Sequence, residues 1–495
     1  GSPYAWDAAD MNRTAAVAHR RLPPRWSWLV AMLCIAGGTS ACHLFPRTGL
    51  APAAPETVHA VILLIGDGMG DQEITAARNY QHGAHGRLHL DTLPVRGWSL
   101  TASVQEAFPH LSDFVVDSAA SATAWATGQR TSNGRLSTAP QTDAPLRTIA
   151  ERALAAGMPV GVVTTSEVTD ATPAALLAHV NSRHCHGPAD MQRCPQLRRD
   201  RGGPGSIAEQ IVERRVDVLF GGGRRRFEQR IEAGTDTGRT LLEVVRSRGY
   251  RVLLTAAELA TVGEPAEPVI GLFAAGDFDR VWRGEPARPF PGSGPQRCEE
   301  DQRPPEQPSL VAMARTALAL LHRRAAERRK PFFLQIEGAN IDKSAHAAEP
   351  CAQIGETLEF DATVAEVLRY ATSHPHTLVI VTADHAHATQ IVPVPGPEAR
   401  SPGLIGTLVT REGALLTLSY ATQIAGGSQS HTGSQVPVLA RGPYAGELGG
   451  THDQTELYGV MVRALGLADD YEKKRTRSAW ARAASLRPSS NKWAA

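Results

Sequence analysis

Five continuous apolar runs, each followed by polar residues or glycines, constrain the fold of this chain more than any other feature. Such runs, rich in Val, Ile and Leu, are typical of parallel strands buried on both faces. They lie at residues 58–65, 160–165, 216–220, 331–336 and 377–382. Helix-like segments lie between several of them, at 145–156, 207–214, 309–328 and 354–372. The alternation predicts an α/β fold, a three-layer α/β/α sandwich around a mostly parallel central sheet.

Polar clusters follow four of these runs and predict where the functional site lies. In open α/β sheets, ligands bind in the crevice outside the carboxyl ends of the strands. The clusters occupy residues 66–70, 164–172, 337–346 and 383–387. We therefore expect them to meet at one shared site.

One catalytic domain, at 53–468, accounts for most of the 495 residues, because no linker or repeat divides it. Within it, Pro- and Arg-rich stretches at 283–308 and 393–402 predict surface insertions. The basic, Ser- and Ala-rich tail at 469–495 predicts disorder. Residues 1–10 precede the first methionine and are interpreted as an upstream extension or a cloning scar.

The N-terminal region predicts export. Four arginines follow Met11, then an apolar run at 26–35, then small residues that end at Ala41. This pattern is typical of a signal peptide over 11–41. The run has about half the length that spans a bilayer, so we expect no transmembrane span in the mature chain. The predicted location is periplasmic or secreted, with lipid anchoring at Cys42 as an alternative.

Charge is distributed unevenly along the chain. Residues 1–50 carry five Arg against two Asp, and residues 471–495 carry seven Lys and Arg against one Glu. Since the whole chain has a net charge of +1, residues 51–470 have a net charge of about −8. An acidic domain is a poor partner for nucleic acid, so no nucleic-acid binding is expected. It suits a protein whose carboxylates hold cations.

Aspartates and histidines in the polar clusters predict metal binding. One pair, Asp342 and His346, is four residues apart, so a helix would present both to one ion. Others follow the first and fifth runs, and one lies in a Gly/Ser-rich loop. The nitrogen and oxygen donors suit zinc and suffice for two ions. The candidates are Asp67, Asp342, His346, Asp384, His385, His387 and His431.

A second set of candidates carries only oxygen donors, which magnesium prefers. It comprises Glu337, Asp67 and the Thr172 hydroxyl, with Asp170 nearby to contact the ion directly or through water. Thr172 also precedes Pro173, so it is equally interpreted as the N-cap of a helix.

Ser118 is the candidate nucleophile. It follows the apolar residues 114–116, interpreted as a strand end, and begins an Ala-rich segment of high helix propensity. A helix N-terminus stabilises an alkoxide or a phosphoryl group. Because no Gly-x-Ser-x-Gly motif surrounds Ser118, activation by a metal is favoured over a Ser-His-Asp mechanism. Arg183 has a guanidinium that can bind two phosphate oxygens at once.

Four cysteines in the domain predict disulfides: Cys185, Cys194, Cys298 and Cys351. They allow three pairings, and the sequence alone does not choose between them. The pair Cys185 with Cys194 closes the shortest loop and would leave Cys298 with Cys351.

The chain resembles bacterial alkaline phosphatases over residues 59–467. Several long motifs in the same order carry the resemblance: Gly66-Asp-Gly-Met-Gly-Asp, Asp117-Ser-Ala-Ala-Ser-Ala-Thr-Ala-Trp, Asp170-Ala-Thr-Pro-Ala-Ala, Ile336-Glu-Gly-Ala-Asn-Ile-Asp-Lys, Thr382-Ala-Asp-His-Ala-His and His431-Thr-Gly-Ser.

The resemblance implies hydrolysis of small phosphate monoesters at alkaline pH, through a phosphoserine on Ser118, with release of inorganic phosphate. It implies two zinc ions and one magnesium ion per subunit, an exported homodimer, and the disulfides Cys185–Cys194 and Cys298–Cys351. By position, one zinc is assigned to Asp342, His346 and His431, the other to Asp67, Asp384 and His385, and magnesium to Asp67, Thr172 and Glu337, with Asp170 reaching its waters. Arg183 would clamp the phosphate, Lys343 would contact it through water, and His387 would support Asp342.

Two other functions compete with this one. Related metal hydrolases cleave sulfate monoesters or phosphate diesters, but the sulfatase motif Cys/Ser-x-Pro-x-Arg is absent at Ser118. A non-enzymatic scavenger of phosphate or metal would need the ligands but no nucleophile.

Overall fold

The computed structural model describes residues 57–395 and 403–467, and most of its strands belong to one sheet. Ten strands form this sheet, four form a second sheet and two form a hairpin. In chain order the strands are β1 (Ala60–Gly66), β2 (Val95–Leu100), β3 (Ser103–Val104), β4 (Ser112–Asp113), β5 (Val160–Glu167), β6 (Val218–Gly222), β7 (Arg251–Leu253), β8 (Val269–Leu272), β9 (Ser293–Gln296), β10 (Phe332–Gly338), β11 (Thr377–Thr382), β12 (Thr389–Val392), β13 (Leu404–Val409), β14 (Leu415–Tyr420), β15 (Val436–Arg441) and β16 (Gly450–Asp453).

Helices connect many of these strands. They are α1 (Asp71–His82), α2 (Ser118–Thr127), α3 (Ile149–Ala155), α4 (Ala171–Ala174), α5 (Ile207–Arg214), α6 (Arg224–Phe227), α7 (Leu241–Ser247), α8 (Ala256–Ala260), α9 (Leu310–Arg328), α10 (Asn340–His346), α11 (Pro350–Ser373) and α12 (Glu456–Ala464). Short 3₁₀ turns occur as well.

The large sheet is mostly parallel, as the apolar runs predict. Its strand order is β16-β2-β15-β11-β1-β10-β5-β6-β8-β7. β15 pairs antiparallel with both of its neighbours, whereas all the other pairs are parallel. Every residue of β1, β5, β6, β10 and β11 is buried, which explains why these strands read as continuous apolar runs.

Helices cover both faces of this sheet, which confirms the three-layer architecture. Along β1, side chains alternate between two cores because successive residues of a strand point to opposite faces. Val61, Leu63 and Ile65 pack in a core that includes α2, α3, α5 and α12. Ile62 and Leu64 pack in the opposite core, which includes α9 and α11.

Side-chain caps fix where two of the predicted helices begin. The Thr148 hydroxyl accepts a hydrogen bond from the Glu151 amide, and the Glu151 carboxylate accepts one from the Thr148 amide. Ser206 and Glu209 form the same reciprocal arrangement before α5. Such a capping box satisfies amides that lack partners within the helix. α3 therefore starts at Ile149, four residues later than the sequence pattern predicts.

The second sheet was not predicted, and it includes part of a predicted surface insertion. Its order is β12-β14-β13-β9, and β9 lies within the Pro-rich stretch 283–308. Most of that stretch is exposed, but the disulfide Cys298–Cys351 ties it to α11. The second disulfide joins Cys185 to Cys194. Both pairings are those that the family resemblance implies.

Several predictions fall outside the described residues. They concern the extension at 1–10, the signal peptide at 11–41, Cys42, and the tail at 469–495. Among the helices that the structure does describe, none combines the length and apolarity that crossing a bilayer requires.

A buried ion pair joins the sheet to α9 and yields a stability prediction. The Asp217 carboxylate accepts hydrogen bonds from the Val160 amide (3.1 Å) and from the buried Arg324 guanidinium (3.4 Å). Replacing Asp217 with Ala leaves the Arg324 charge without its partner, so we expect the free energy of unfolding to fall by about 3 kcal/mol. Urea unfolding of the metal-loaded protein measures this change.

The matched control is Glu327→Ala, which removes an exposed ion pair between Glu327 and Arg323 on the same helix. Exposed pairs contribute little, so the control should unfold at the wild-type urea concentration. Equal effects of the two substitutions would contradict the assignment of Asp217 as a buried anchor.

Candidate active site

The polar clusters meet where three adjacent central strands end. β1 lies between β10 and β11, and Ile65 is level with Glu337 on one side and with Thr382 on the other. Asp67 follows β1, α10 follows β10, and Asp384 follows β11. The structure therefore brings these predicted clusters together at the carboxyl edge of the sheet.

A first cluster surrounds the Asp342 carboxylate. Its Oδ1 atom lies 3.4 Å from His346 Nε2, 3.2 Å from His387 Nε2 and 3.3 Å from His431 Nε2. The Nε2 atoms of His346 and His431 are only 3.1 Å apart. One ligand atom from each of these four residues lies close enough to the others for a single metal ion.

A second cluster adjoins the first and contains Asp67, Asp342 and His385. His385 Nε2 lies 3.5 Å from Asp67 Oδ1 and 3.1 Å from Asp384 Oδ2. The Gly68 amide donates to Asp384 Oδ1 at 2.9 Å, which leaves Asp384 Oδ2 facing the cluster. Gly68 has a positive φ of 66°, and a Cβ there would lie 3.1 Å from Asp342, so the turn favours glycine.

Buried oxygens without partners test whether these residues fit a cation. Among the described residues, Asp67 Oδ1, Asp342 Oδ1, Asp384 Oδ2 and Thr172 Oγ1 are buried and have no hydrogen-bond partner. Burial, together with the charges of Asp384 and Asp342, raises the pKa of Asp67 well above its usual range. Unpaired buried charge is costly, and a cation would relieve it. The nitrogen and oxygen donors fit zinc.

Backbone carbonyls fix the tautomers of three histidines. Nδ1 of His346 faces the Gln429 carbonyl, Nδ1 of His431 lies 3.2 Å from the Val116 carbonyl, and Nδ1 of His385 lies 3.3 Å from the Ala386 carbonyl. A carbonyl only accepts, so each Nδ1 carries a proton, and each ring in its neutral form presents its lone pair on Nε2. This arrangement is typical of histidines that bind metals.

His387 has the opposite tautomer. Its Nδ1 accepts a hydrogen bond from the Ala388 amide at 2.8 Å, so its proton lies on Nε2, which faces Asp342. Burial lowers the pKa of His387 to about 4, which keeps the ring neutral. His387 therefore presents a protonated Nε2 to Asp342 Oδ1, 3.2 Å away, and has no lone pair to offer an ion.

The oxygen-only candidates lie beside the second cluster. The Thr164 hydroxyl donates to Glu337 Oε2, and burial raises the pKa of Glu337 to about 7. Thr172 lies within α4, so its prediction as an N-cap is wrong. Asp170 is the cap, and its carboxylate accepts from the Ala171 amide at 2.8 Å. The Thr172 hydroxyl does not cap the helix, and its buried Oγ1 has no hydrogen-bond partner.

Ser118 is the first residue of α2 and is 3% exposed. Asp117 is the N-cap, and its carboxylate accepts from the Ala120 amide at 2.9 Å. Ser118 Oγ lies 3.3 Å from His385 Nε2, which brings the candidate nucleophile against the second cluster. The preceding apolar residues are not a strand end, since β4 stops at Asp113 and Phe114 is 76% exposed.

Two positively charged side chains, Arg183 and Lys343, share the Asp170 carboxylate. Asp170 accepts from Arg183 at 2.9 Å and from Lys343 at 2.7 Å. Although burial raises the pKa of Asp170, these two charges lower it far below its usual range. Asp117 lies 3.2 Å from Arg183, and Asp277 lies 3.4 Å from Lys343.

Asp117 and Asp277 are absent from the sequence-predicted set. The preference for Asp at helix N-caps could have identified Asp117. No sequence signal indicated Asp277.

Comparisons with known proteins agree with this geometry. The family model described as alkaline phosphatase matches residues 58–423. Streptomycin-6-phosphate phosphatase of Streptomyces griseus is 50% identical over 91% of this chain and 99% of its own length. Alkaline phosphatase of Escherichia coli (strain K12) is 46% identical over 82% of this chain and 86% of its own length.

A solved structure supports the fold. Alkaline phosphatase from the Antarctic bacterium TAB5 superposes with a TM-score of 0.60, over 83% of this chain and 99% of that chain. Its sequence identity is 22%, so this likeness concerns the fold alone.

The histidine tautomers yield a prediction about metal retention. If each cluster holds one ion, His346→Ala and His431→Ala should each lose about one zinc per chain, since each removes a lone pair. His387→Gln should retain both ions and bind zinc roughly 10- to 100-fold more weakly, because it changes only the support of Asp342. Elemental analysis after dialysis against buffered zinc measures both effects.

His452→Ala is the control, because His452 pairs with Glu456 and lies outside both clusters. Loss of a full ion from His387→Gln under saturating zinc would show that His387 is a ligand after all.

Proposed function

This chain belongs to the alkaline phosphatase family and is a phosphoric monoester hydrolase, and we propose that it acts through a phosphoserine intermediate on Ser118. The observation that carries the proposal is the position of Ser118 Oγ, at a helix N-terminus and 3.3 Å from His385 Nε2 in the second cluster. Unpaired amides at a helix N-terminus stabilise negative charge on an attacking oxygen or on a phosphoryl group.

We assign two zinc ions and one magnesium ion to the site. One zinc would be held by Asp342, His346 and His431, the second by Asp67, Asp384 and His385, and magnesium by Asp67, Thr172 and Glu337, with Asp170 reaching its waters. The metals would supply Lewis-acid stabilisation of the serine alkoxide and of the departing ester oxygen, and a nucleophilic water. The unpaired buried oxygens support this assignment. A variant of the TAB5 enzyme has been solved with Mg bound.

The reaction has two displacements at phosphorus. In the first, Ser118 Oγ gives up its proton to solvent and forms a bond to phosphorus, the ester P–O bond breaks, and the alcohol leaves with a proton from solvent. In the second, water attacks phosphorus, the bond to Ser118 Oγ breaks, the serine regains its proton, and inorganic phosphate is released. Attack and departure in line from opposite sides suit a site that stabilises both oxygens.

Positive charge favours a doubly charged monoester over a sulfate ester or a phosphate diester. Arg183 presents a planar guanidinium that binds two phosphoryl oxygens, and Lys343 adds a second cation that contacts the phosphate through water. Asp117 and Asp170 orient Arg183, so its position is set before the substrate binds. The same set of cations weighs against the diesterase alternative.

We further propose that the protein is exported and acts as a homodimer. The export pattern at 11–41 and the family membership support these proposals.

The first test is hydrolysis of p-nitrophenyl phosphate at alkaline pH by wild type and by Ser118→Ala, both loaded with zinc and magnesium. Loss of the nucleophile should lower kcat by several orders of magnitude, because only attack by water remains. Chelation should abolish the wild-type activity, and readdition of zinc and magnesium should restore it.

Ser373→Ala, at the exposed end of α11, is the control and should retain wild-type kinetics. An inactive wild type in its fully metallated form would instead favour a diesterase or a scavenger. Unchanged kcat in Ser118→Ala would exclude the phosphoserine.

A specific phosphorylated aminoglycoside is a second candidate substrate. The observation behind it is the 50% identity to streptomycin-6-phosphate phosphatase along nearly all of that protein. We expect streptomycin 6-phosphate and p-nitrophenyl phosphate to have values of kcat/KM within about 10-fold, because the assigned residues bind the phosphoryl group and leave the alcohol free. A preference of about 100-fold or more for streptomycin 6-phosphate would indicate a dedicated site for the aminoglycoside.

A further inference from the structure

A buried hydrogen-bond junction joins the nucleophile helix to the second metal cluster. The backbone carbonyl of Asp384 accepts hydrogen bonds from Ser121 Oγ at 2.8 Å and from Gln454 Nε2 at 2.9 Å. Gln454 Nε2 also donates to Ser121 Oγ, which closes the junction. Asp384 and Ser121 are fully buried and Gln454 is 1% exposed, so water does not compete for these bonds.

The three residues of the junction, Ser121, Asp384 and Gln454, lie in three separate parts of the fold. Ser121 lies three residues after Ser118 on α2, so both side chains project from the same side of the helix. Asp384 precedes His385, whose Nε2 faces Ser118 Oγ. Gln454 lies between β16 and α12, near the C-terminal end of the described chain.

The junction completes the immobilisation of Asp384. The Asp384 carboxylate is held through Oδ1 by the amides of Gly68 and His385, both at 2.9 Å. Its carbonyl is held only from α2 and Gln454 among the contacts described. Besides the contact between Ser118 Oγ and His385 Nε2, the junction is a direct polar link between α2 and the loop that carries Asp384, so it bears on the separation between Ser118 and the second cluster.

We propose that Ser121 and Gln454 are positioning residues, which set the distance from Ser118 Oγ to the second metal cluster. This rests on the proposed function, since a set distance matters only if Ser118 attacks beside that cluster. A shift of about 1 Å between reacting groups lowers a rate by as much as about 100-fold.

A buried side-chain oxygen without a hydrogen-bond partner argues against a purely stabilising role for Gln454. Gln454 Oε1 is buried and has no hydrogen-bond partner. A buried acceptor without a partner costs stability, so an apolar side chain of the same shape would suit the packing at least as well. The donors on Nε2 are what a glutamine adds here.

The experiment compares Gln454→Met, Ser121→Ala and the double variant with wild type, all loaded with zinc and magnesium. We expect kcat for p-nitrophenyl phosphate to fall about 10-fold in each single variant. The inhibition constant for inorganic phosphate should change less than about two-fold, because Arg183 and Lys343 do not contact the junction. The double variant should resemble the single variants, since residues in one network act as a unit.

Gln210→Met is the control, because Gln210 is also buried and its Nε2 also donates to two backbone carbonyls, those of His179 and Gly205, while its Oε1 accepts from the His179 amide. It should retain wild-type kcat. Metal content and thermal midpoint are measured for every variant.

Wild-type kcat in Gln454→Met and Ser121→Ala would overturn the proposal. So would a loss of kcat that parallels a loss of bound metal, or one that Gln210→Met reproduces. Failure of the proposed function appears separately, as activity of wild type that does not depend on Ser118.

Discussion

Like-charge crowding at the ends of three neighbouring strands is the constraint on which the site depends. Asp67, Asp342 and Asp384 are brought together because β1, β10 and β11 are adjacent and end at the same level. Their carboxylates are buried and several oxygens have no partner, so the folded chain concentrates negative charge where water cannot screen it. Binding of a cation here would therefore be coupled to folding, and the histidines offer further donor atoms at the same place.

Two positively charged side chains, Arg183 and Lys343, partly balance this negative charge. Asp170 lies between Arg183 and Lys343, and Asp117 anchors Arg183 from the other side. The two cations are thus neutralised in part before any substrate arrives, and an incoming phosphate dianion would compete with these carboxylates. Such competition favours release of phosphate after hydrolysis, because the carboxylates can reclaim the cations.

Local patterns predicted much of the fold and of the candidate site. Buried parallel strands read as apolar runs, so β1, β5, β6, β10 and β11 were identified within a few residues. The second sheet was missed because β9 and β12 have only four residues each and are partly exposed, and because the pairing of β9 with β13 joins distant segments. The contacts of Asp277 and Gln454 were missed because they too join residues that are far apart in the sequence. The role of His387 depends on one amide hydrogen, from Ala388, which no sequence pattern specifies.

The position of β1 has a consequence for how the chain is made. β1 is synthesised before the other strands of the sheet, yet both of its neighbours, β10 and β11, lie far along the chain. Until residues 332–338 and 377–382 emerge, β1 is an apolar segment with two unpaired edges, which is the kind of segment that aggregates. Its long-range pairing also slows folding. A ribosome-bound intermediate of this protein would therefore need protection along β1, and a chain truncated before β10 would leave both edges of β1 unpaired.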